Sequence, residues 1–204
     1  MAASKLQGRR ARPAVREADG SLRRAEIIDA AARVFARLGY QQTSIRKIAT
    51  EVGLLGGSLY HHINSKEDLF LEVHGRALTR VEAAMRARFE GVADPWERLR
   101  LACVAHVEME VEPGSVTLAL MGDLRSVPTE VRAKLITQRD AFETMYVELV
   151  DALDIAPGID RSVLRLSLLT LLNGVVSWYR PGRLSPGEIG EQIFRIVSEK
   201  IRRP

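Results

Sequence analysis

Cysteine is nearly absent from this 204-residue chain, Cys103 being the only one. A single thiol cannot staple a secreted fold or build a metal cluster, so a reducing cytoplasm is the expected home. Long apolar runs are missing as well. No stretch of about 18 uncharged apolar residues occurs, so no helical membrane span is expected, and the first residues hold no apolar core of the signal-peptide kind. Histidine is scarce and scattered, at positions 61, 62, 74 and 106, and neither a metal nor a cofactor is expected. His61 and His62 point to different sides of a helix, while His106 and Glu110 share a face at i, i+4 and read as a surface or pocket pair. No serine sits in a Gly-x-Ser-x-Gly turn. The segment Gly53-x-x-Gly56-Gly57-Ser58 lacks the lysine and preceding strand of a phosphate loop. Cys103 falls on the apolar stripe Trp96, Leu99, Cys103, Val107, Val111 and reads as a small buried residue. Nothing supports catalysis, and the chain is expected not to be an enzyme.

What is present is a globular composition, 46% apolar and 27% charged, with an uneven charge distribution. Residues 1–24 carry Lys5, Arg9, Arg10, Arg12, Arg16, Arg23 and Arg24 against Glu17 and Asp19. The other 180 residues carry 23 basic and 24 acidic groups, so the whole positive excess lies in the leading segment. That asymmetry points to a polyanion near the N-terminus. Residues 1–20 lack apolar periodicity and read as a flexible basic arm.

From Ser21 onward the signals are helical. Ile27, Ala31, Val34, Phe35 and Leu38 mark one helix face that Gly39 closes. Thr43 is expected to cap a short helix from Ser44 to about Glu51, with Gly53 as its stop, and a third short helix runs from Leu55 or Gly56 to His62. Ser65 to Asp68 has the form of a capping box opening a helix to about Phe89. Asp94-Pro95-Trp96-Glu97 and Ser185-Pro186-Gly187-Glu188 open two more, and Pro128 opens one with the stripe Val131, Leu135, Phe142, Met145, Leu149, Leu153. Pro113-Gly114, Pro157-Gly158 and Pro181-Gly182 are stops. No alternating β-branched segment and no solenoid period competes. The fold class is all-α, with about nine helices.

Ile45 to Ile63 is the richest local pattern. Ile48, Val52, Leu54 and Leu59 pack two short helices together, Ala49 is small where they cross, and Gly53 suits the tight turn. This is the spacing of a helix-turn-helix, which lays its second helix in a DNA major groove. The alternative from spacing alone is an αα-corner with no ligand.

The stretch from Arg24 to Leu71 resembles the N-terminal domain of TetR-type transcriptional regulators. The resemblance rests on Ile28-x-x-Ala31, Phe35-x-x-x-Gly39-Tyr40, Thr43-Ser44-Ile45-x-x-Ile48-Ala49, Gly53, and Gly57-Ser58-Leu59-Tyr60-His61-His62-Ile63-x-x-Lys66-Glu67-x-Leu69. It implies a helix-turn-helix domain over 21–75 followed by an effector-binding and dimerisation domain over 76–204. One departure is Leu55-Gly56-Gly57, where many members have Ser or Thr at the start of the third helix. Ser44, Arg46 and Lys47, near the cap at Thr43, suit phosphate contacts, and Gly56, Gly57 and Ser58 are candidates for lying against base edges. The resemblance places Tyr60 and His61 on the phosphate backbone and Lys66 on a phosphate at the next helix's N-terminus. The alternative for Tyr60 is a half-buried ring closing the small core, and His62 reads as a packing residue.

Residues 160–180 are apolar on nearly all sides and need covering all round, either at the centre of one chain or between two chains. The resemblance implies a homodimer through this helix and the last one, with Leu169, Leu172, Val176, Ile189, Ile193 and Val197 at the contact and Gly190 allowing close approach. It also implies a small-molecule site. Met109, Leu120, Met121, Phe142, Met145 and Tyr146 are candidates to line it, or are plain core. Asn173 needs a partner if buried. Its segment, ending Trp178-Tyr179-Arg180-Pro181-Gly182, is similar to the branch of the family that answers to acyl-CoA thioesters, with Trp178 and Arg180 as effector contacts; the alternative is that Trp178 and Tyr179 only plug the end of the core. The expected protein is a cytoplasmic dimeric repressor that binds a near-palindromic double-stranded operator and is released by a lipophilic effector, an acyl-CoA thioester among the candidates. The alternatives are a regulator of an efflux gene answering to a drug-like molecule and, from another class, a helical protein–protein adaptor.

Overall fold

The computed structural model describes residues 13–112, 127–199, 201 and 202, and all of its regular structure is helical. The first twelve residues of the expected arm, the Pro113-Gly114 stop, Leu120 and Met121 lie outside the described residues. Among the described residues eight helices run in order: α1 (Pro13–Gln42), α2 (Ile45–Glu51), α3 (Gly56–Leu59), α4 (Lys66–Arg88), α5 (Pro95–Glu110), α6 (Thr129–Asp151), α7 (Arg161–Trp178) and α8 (Pro186–Ser198). Helix α1 starts at Pro13 rather than Ser21, so part of the expected arm is helical. Ala14, Arg16, Glu17 and Ala18 favour that state, and proline suits a first helical position.

Local signals set most of the boundaries. Gly39 breaks α1 with φ 71°, a left-handed conformation that costs a Cβ-bearing residue strain. Ser65 accepts from the Asp68 N–H at 2.9 Å to start α4, and Ser185 and Glu188 close a reciprocal capping box at α8.

Two cores form. One gathers Ile27, Ile28, Ala31, Val34, Phe35 and Tyr40 of α1 with Ile48, Ala49, Leu59, Leu69 and Phe70. The other gathers Met85 of α4, Leu99 and Cys103 of α5, Phe142, Met145 and Tyr146 of α6, Leu168, Leu169 and Leu172 of α7, and Ile189, Ile193 and Phe194 of α8. Helix α6 belongs to both: Val131 and Leu135, in its first turns, complete the N-terminal core, and the same helix continues through Phe142 to Leu149 in the other. A cut between residues 75 and 76 therefore leaves the N-terminal core without part of its wall.

The α8 stripe packs on α5. A Cβ on Gly190 would lie 2.7 Å from both the Cys103 carbonyl oxygen and Val104 Cα, so the helices cross with backbone nearly touching backbone. Ile189 and Ile193 are each 7% exposed, and Val197 packs against the same core. Leu169 and Leu172 likewise face inward at 4% and 0% exposed. These residues, expected at a dimer contact, are covered by their own chain. Val176 is half-buried. The periodicity marked burial correctly but not which chain supplies the cover. What α7 exposes is a separate stripe of Val163, Leu166, Leu171 and Trp178, with Thr170 and Gly174 between them.

Candidate functional site

The α2–α3 pair is built from its contacts outward. Ile48, Ala49 and Leu59 are fully buried between the two helices and α1. Gly53, at φ +67°, turns the chain, and the Leu54 N–H donates to the Ala49 carbonyl at 2.8 Å. Arg23 donates to the Val52 carbonyl, and Arg24 bonds the His62 carbonyl and Glu72, so α1 holds both ends of the motif. The N-cap of α2 is Ser44, whose side chain accepts from the Lys47 N–H. Thr43, expected as both cap and DNA contact, is 2% exposed and donates its hydroxyl to the Gly39 carbonyl at 2.7 Å. It closes the α1 terminus instead and has no face to offer DNA.

One surface then carries Ser44, Arg46, Lys47, Gly57, Tyr60 and His61, all exposed, with Gly56 and Ser58 half-buried beside them. The Lys47 ammonium donates to the Gln42 carbonyl at 2.9 Å, whereas the Arg46 guanidinium has no partner among the described residues. Tyr60 is 58% exposed, so its ring does not close the core. His62 is half-buried, in keeping with packing. Gly57 has open space where a Cβ would stand, and at Gly56 the nearest atom is Arg46 Cα at 4.0 Å. Neither glycine is needed by the fold. Leu55, which sequence reasoning treated only as a helix start, is 80% exposed at the N-cap of α3. An apolar side chain beside two glycines at a helix start was the available signal.

Lys66 opens α4 with its ammonium 4.1 Å from the centre of the Tyr40 ring, and partial burial there lowers its pKa. The Tyr40 hydroxyl donates to Glu67 at 2.6 Å, which holds that carboxyl below the ordinary range, while burial first and this bond second raise the phenol above its own. Lys66 is thereby oriented at the positive end of a 23-residue helix.

In the C-terminal core, a polar group sits among apolar side chains. Asn173 finds its partner in His106: the amide oxygen accepts from Nε2 at 3.0 Å, leaving Nδ1 to accept from the Tyr146 hydroxyl at 2.7 Å. Burial pushes the His106 pKa down to about 4, so the ring is neutral. Glu110 lies one turn on, and burial pushes its carboxyl up to about 7. Of the expected effector residues, Asn173, Phe142, Met145 and Tyr146 come together here, and Met109 packs against the same core. Trp178 and Arg180 do not join them. Trp178 is 56% exposed on the outer stripe of α7, and the exposed Arg180 guanidinium donates to the Tyr179 carbonyl. Their place in the sequence suggested a pocket mouth, but the helix turns Trp178 away from Asn173.

These features define a helix-turn-helix protein with a helical second domain. Residues 27–73 match the bacterial regulatory proteins of the tetR family, and residues 92–201 match the tetracyclin repressor-like C-terminal domain. The chain belongs to the TetR family and is a DNA-binding transcriptional repressor of the helix-turn-helix type. It is 30% identical over 184 residues to the HTH-type transcriptional repressor KstR2 of Mycobacterium tuberculosis, covering 86% of this chain and 90% of the relative. The solved structure of that ketosteroid transcriptional regulator matches with a TM-score of 0.67 at 27% identity, over 89% of this chain and 96% of the other. The fatty acid metabolism regulator protein of Bacillus subtilis is 27% identical over 162 residues, 75% of this chain and 81% of the relative. The fold is also that of AibR in complex with isovaleryl coenzyme A and operator DNA, with a TM-score of 0.72 at 23% identity over 85% of this chain and 97% of that one.

Proposed function

We propose that two copies of the chain bind a near-palindromic operator, each laying α3 in the major groove, and that an acyl-CoA thioester taken into the C-terminal core releases them. The observation that carries the DNA reading is the surface of α2 and α3, where Arg46 is unpaired and two glycines have no role in the fold. Ser44, Arg46, Lys47, Tyr60, His61 and Lys66 hold phosphates and set the register. Gly56 and Gly57 let the backbone approach base edges, Ser58 lies beside them, and Leu55 suits a thymine methyl group. The thioester reading is supported by relatives named for ketosteroid and fatty-acid regulation and by a polar group within an apolar core. Trp178 and Arg180 no longer support it.

The second copy sits on the exposed stripe Val163, Leu166, Leu171 and Trp178, with Ile196 of α8 69% exposed. The small Thr170 and Gly174 on that stripe suit close helix contact, and a dimer is what a two-fold operator requires. Leu166→Glu, at a position 51% exposed, leaves the protomer core intact, so the protein should stay folded, sediment as a monomer at micromolar concentration and lose operator binding. A variant that still sediments as a dimer would place the contact elsewhere.

The test of the whole reading is a gel-shift titration on the DNA upstream of the gene, with acyl-CoAs, free acids and CoA added in turn. Binding should weaken by roughly 0.9 log unit per neutralised phosphate for each tenfold rise in salt, and only thioesters should release the DNA. Release by the free acids alone would overturn the thioester assignment.

A further inference from the structure

Among the described residues of the C-terminal core, one buried acceptor is left without a donor. The His106 Nε2–H goes to Asn173, and the Tyr146 hydroxyl goes to His106 Nδ1. The Cys103 thiol, one turn before His106, keeps its proton because burial pushes it up to about 12. Glu110 Oε2 is 3.8 Å from His106 Nε2, beyond hydrogen-bond reach, and is buried with no partner among the described residues. A buried carboxyl oxygen in this condition is costly to the fold, so its retention calls for a ligand or a reason.

Asn173, bonded to that same His106 nitrogen, also lines a cleft between α6 and α7 together with Arg139, Phe142, Glu143 and Leu169. Glu143 is held by Arg165 at 2.7 Å, but the half-buried Arg139 makes no hydrogen bond or ion pair among the described residues. The two groups left wanting are thus a cation at the cleft and an acceptor beyond Asn173, with Phe142 and Leu169 as apolar wall. The cleft is closed to about 10 Å³, space for no more than a water molecule, so an occupant must spread α6 from α7.

We infer that this cleft takes a hydroxyl-bearing acyl thioester, its hydroxyl seated against Glu110, its chain along Phe142 and Leu169, and its anionic head toward Arg139. A hydroxyl suits Glu110 in either state, accepting from the acid and donating to the carboxylate, whereas a ketone can only accept. The inference rests on the thioester reading above and adds the hydroxyl to it.

The test is calorimetry at pH 8, where Glu110 is a carboxylate, with 3-hydroxyoctanoyl-CoA, 3-ketooctanoyl-CoA and octanoyl-CoA. The hydroxy compound should bind the full chain at least about tenfold tighter than either of the others. Glu110→Leu should bind the three alike. Glu110→Gln, the gentler change, should retain a smaller preference, because its hydrogen bond is no longer charge-assisted. Equal binding of the three by the unaltered protein, or an undiminished preference in both variants, would overturn the inference and leave the thioester reading standing. Binding of none of them, with operator binding intact, would remove both.

Discussion

Gly57 stands exposed on α3 with nothing within 4 Å of where a Cβ would be, and its φ is not positive. In the free protein an alanine there is harmless and should raise stability by up to about 1 kcal/mol, since glycine is the poorer helix former. On DNA the same methyl would stand between backbone and groove. Gly57→Ala should therefore unfold no earlier on heating yet bind the operator more weakly, and undiminished binding would end the case for close backbone approach. His106 and Glu110 act in opposite directions on pH. An unfolded histidine takes its proton near 6.5, the buried one only at about 4, so His106 costs stability as pH falls through that window. An unfolded glutamic acid loses its proton near 4.5, the buried one at about 7, so Glu110 costs stability as pH rises through its window. Glu110→Gln removes only the second cost. Its stability gain should be near zero at pH 4.5 and reach as much as about 3 kcal/mol at pH 8, read from thermal unfolding at both pH values. A gain independent of pH would mean that desolvation of the carboxylate is not the cause. Roles at this scale were legible where one residue type suffices, as at Gly39, Gly53 and Ser65. They were ambiguous where two hydroxyls adjoin, because composition cannot say whether Thr43 or Ser44 turns outward.

Helix α8 shows what an amphipathic pattern does and does not specify. Its stripe of Ile189, Ile193 and Val197 was evident from spacing, and so was the need for Gly190. Nothing in a periodicity distinguishes a neighbouring helix of the same chain from one of a partner, and the cover proved to be α5. The crossing is tighter than a side chain tolerates. At Gly190 the obstructing atoms are backbone, Cys103 O and Val104 Cα, which cannot move aside as a side-chain end does. Gly190→Ala should destabilise the protein by about 1–3 kcal/mol, the usual cost of overpacking, with the loss visible in denaturant midpoint. Gly57→Ala, on an exposed helix face with nothing within 4 Å, is the control and should leave stability unchanged or raised. Equal losses at both positions would show that helix crossing is not what Gly190 serves.

At the scale of the molecule the deciding element is α6, which no local pattern identified as a bridge. Its stripe from Val131 to Leu153 reads as one continuous apolar face, yet the first third lies in the N-terminal core and the rest in the C-terminal core. At the junction stands Gln138, whose amide N–H donates to the Leu71 carbonyl at 3.1 Å and whose oxygen accepts from His74 Nδ1 at 2.8 Å. Gly75 makes the reach possible, since its Cβ would come within 3.1 Å of the Gln138 amide. His74 is 1% exposed and its other ring nitrogen has no partner, so burial lowers its pKa and keeps it neutral beside Gln138. One turn further on, Phe142 lines the cleft between α6 and α7. A ligand that spreads that cleft would displace a helix clamped to α4, the helix whose first turn carries Lys66, proposed above to hold a phosphate. Gln138→Leu should cut both bonds while keeping the side chain's bulk. The ligand-free variant should still bind the operator, and it should still bind a releasing thioester, but each ligand should weaken the other's binding less, by about tenfold in the coupling factor. Reciprocity supplies the check: thioester affinity measured with and without operator must change by the same factor as operator affinity measured with and without thioester. If both affinities and their coupling match the unaltered protein, the Gln138 clamp carries none of the signal, and transmission runs through other links between the two cores, the apolar contacts of Val131 and Leu135 and the length of α4 among them.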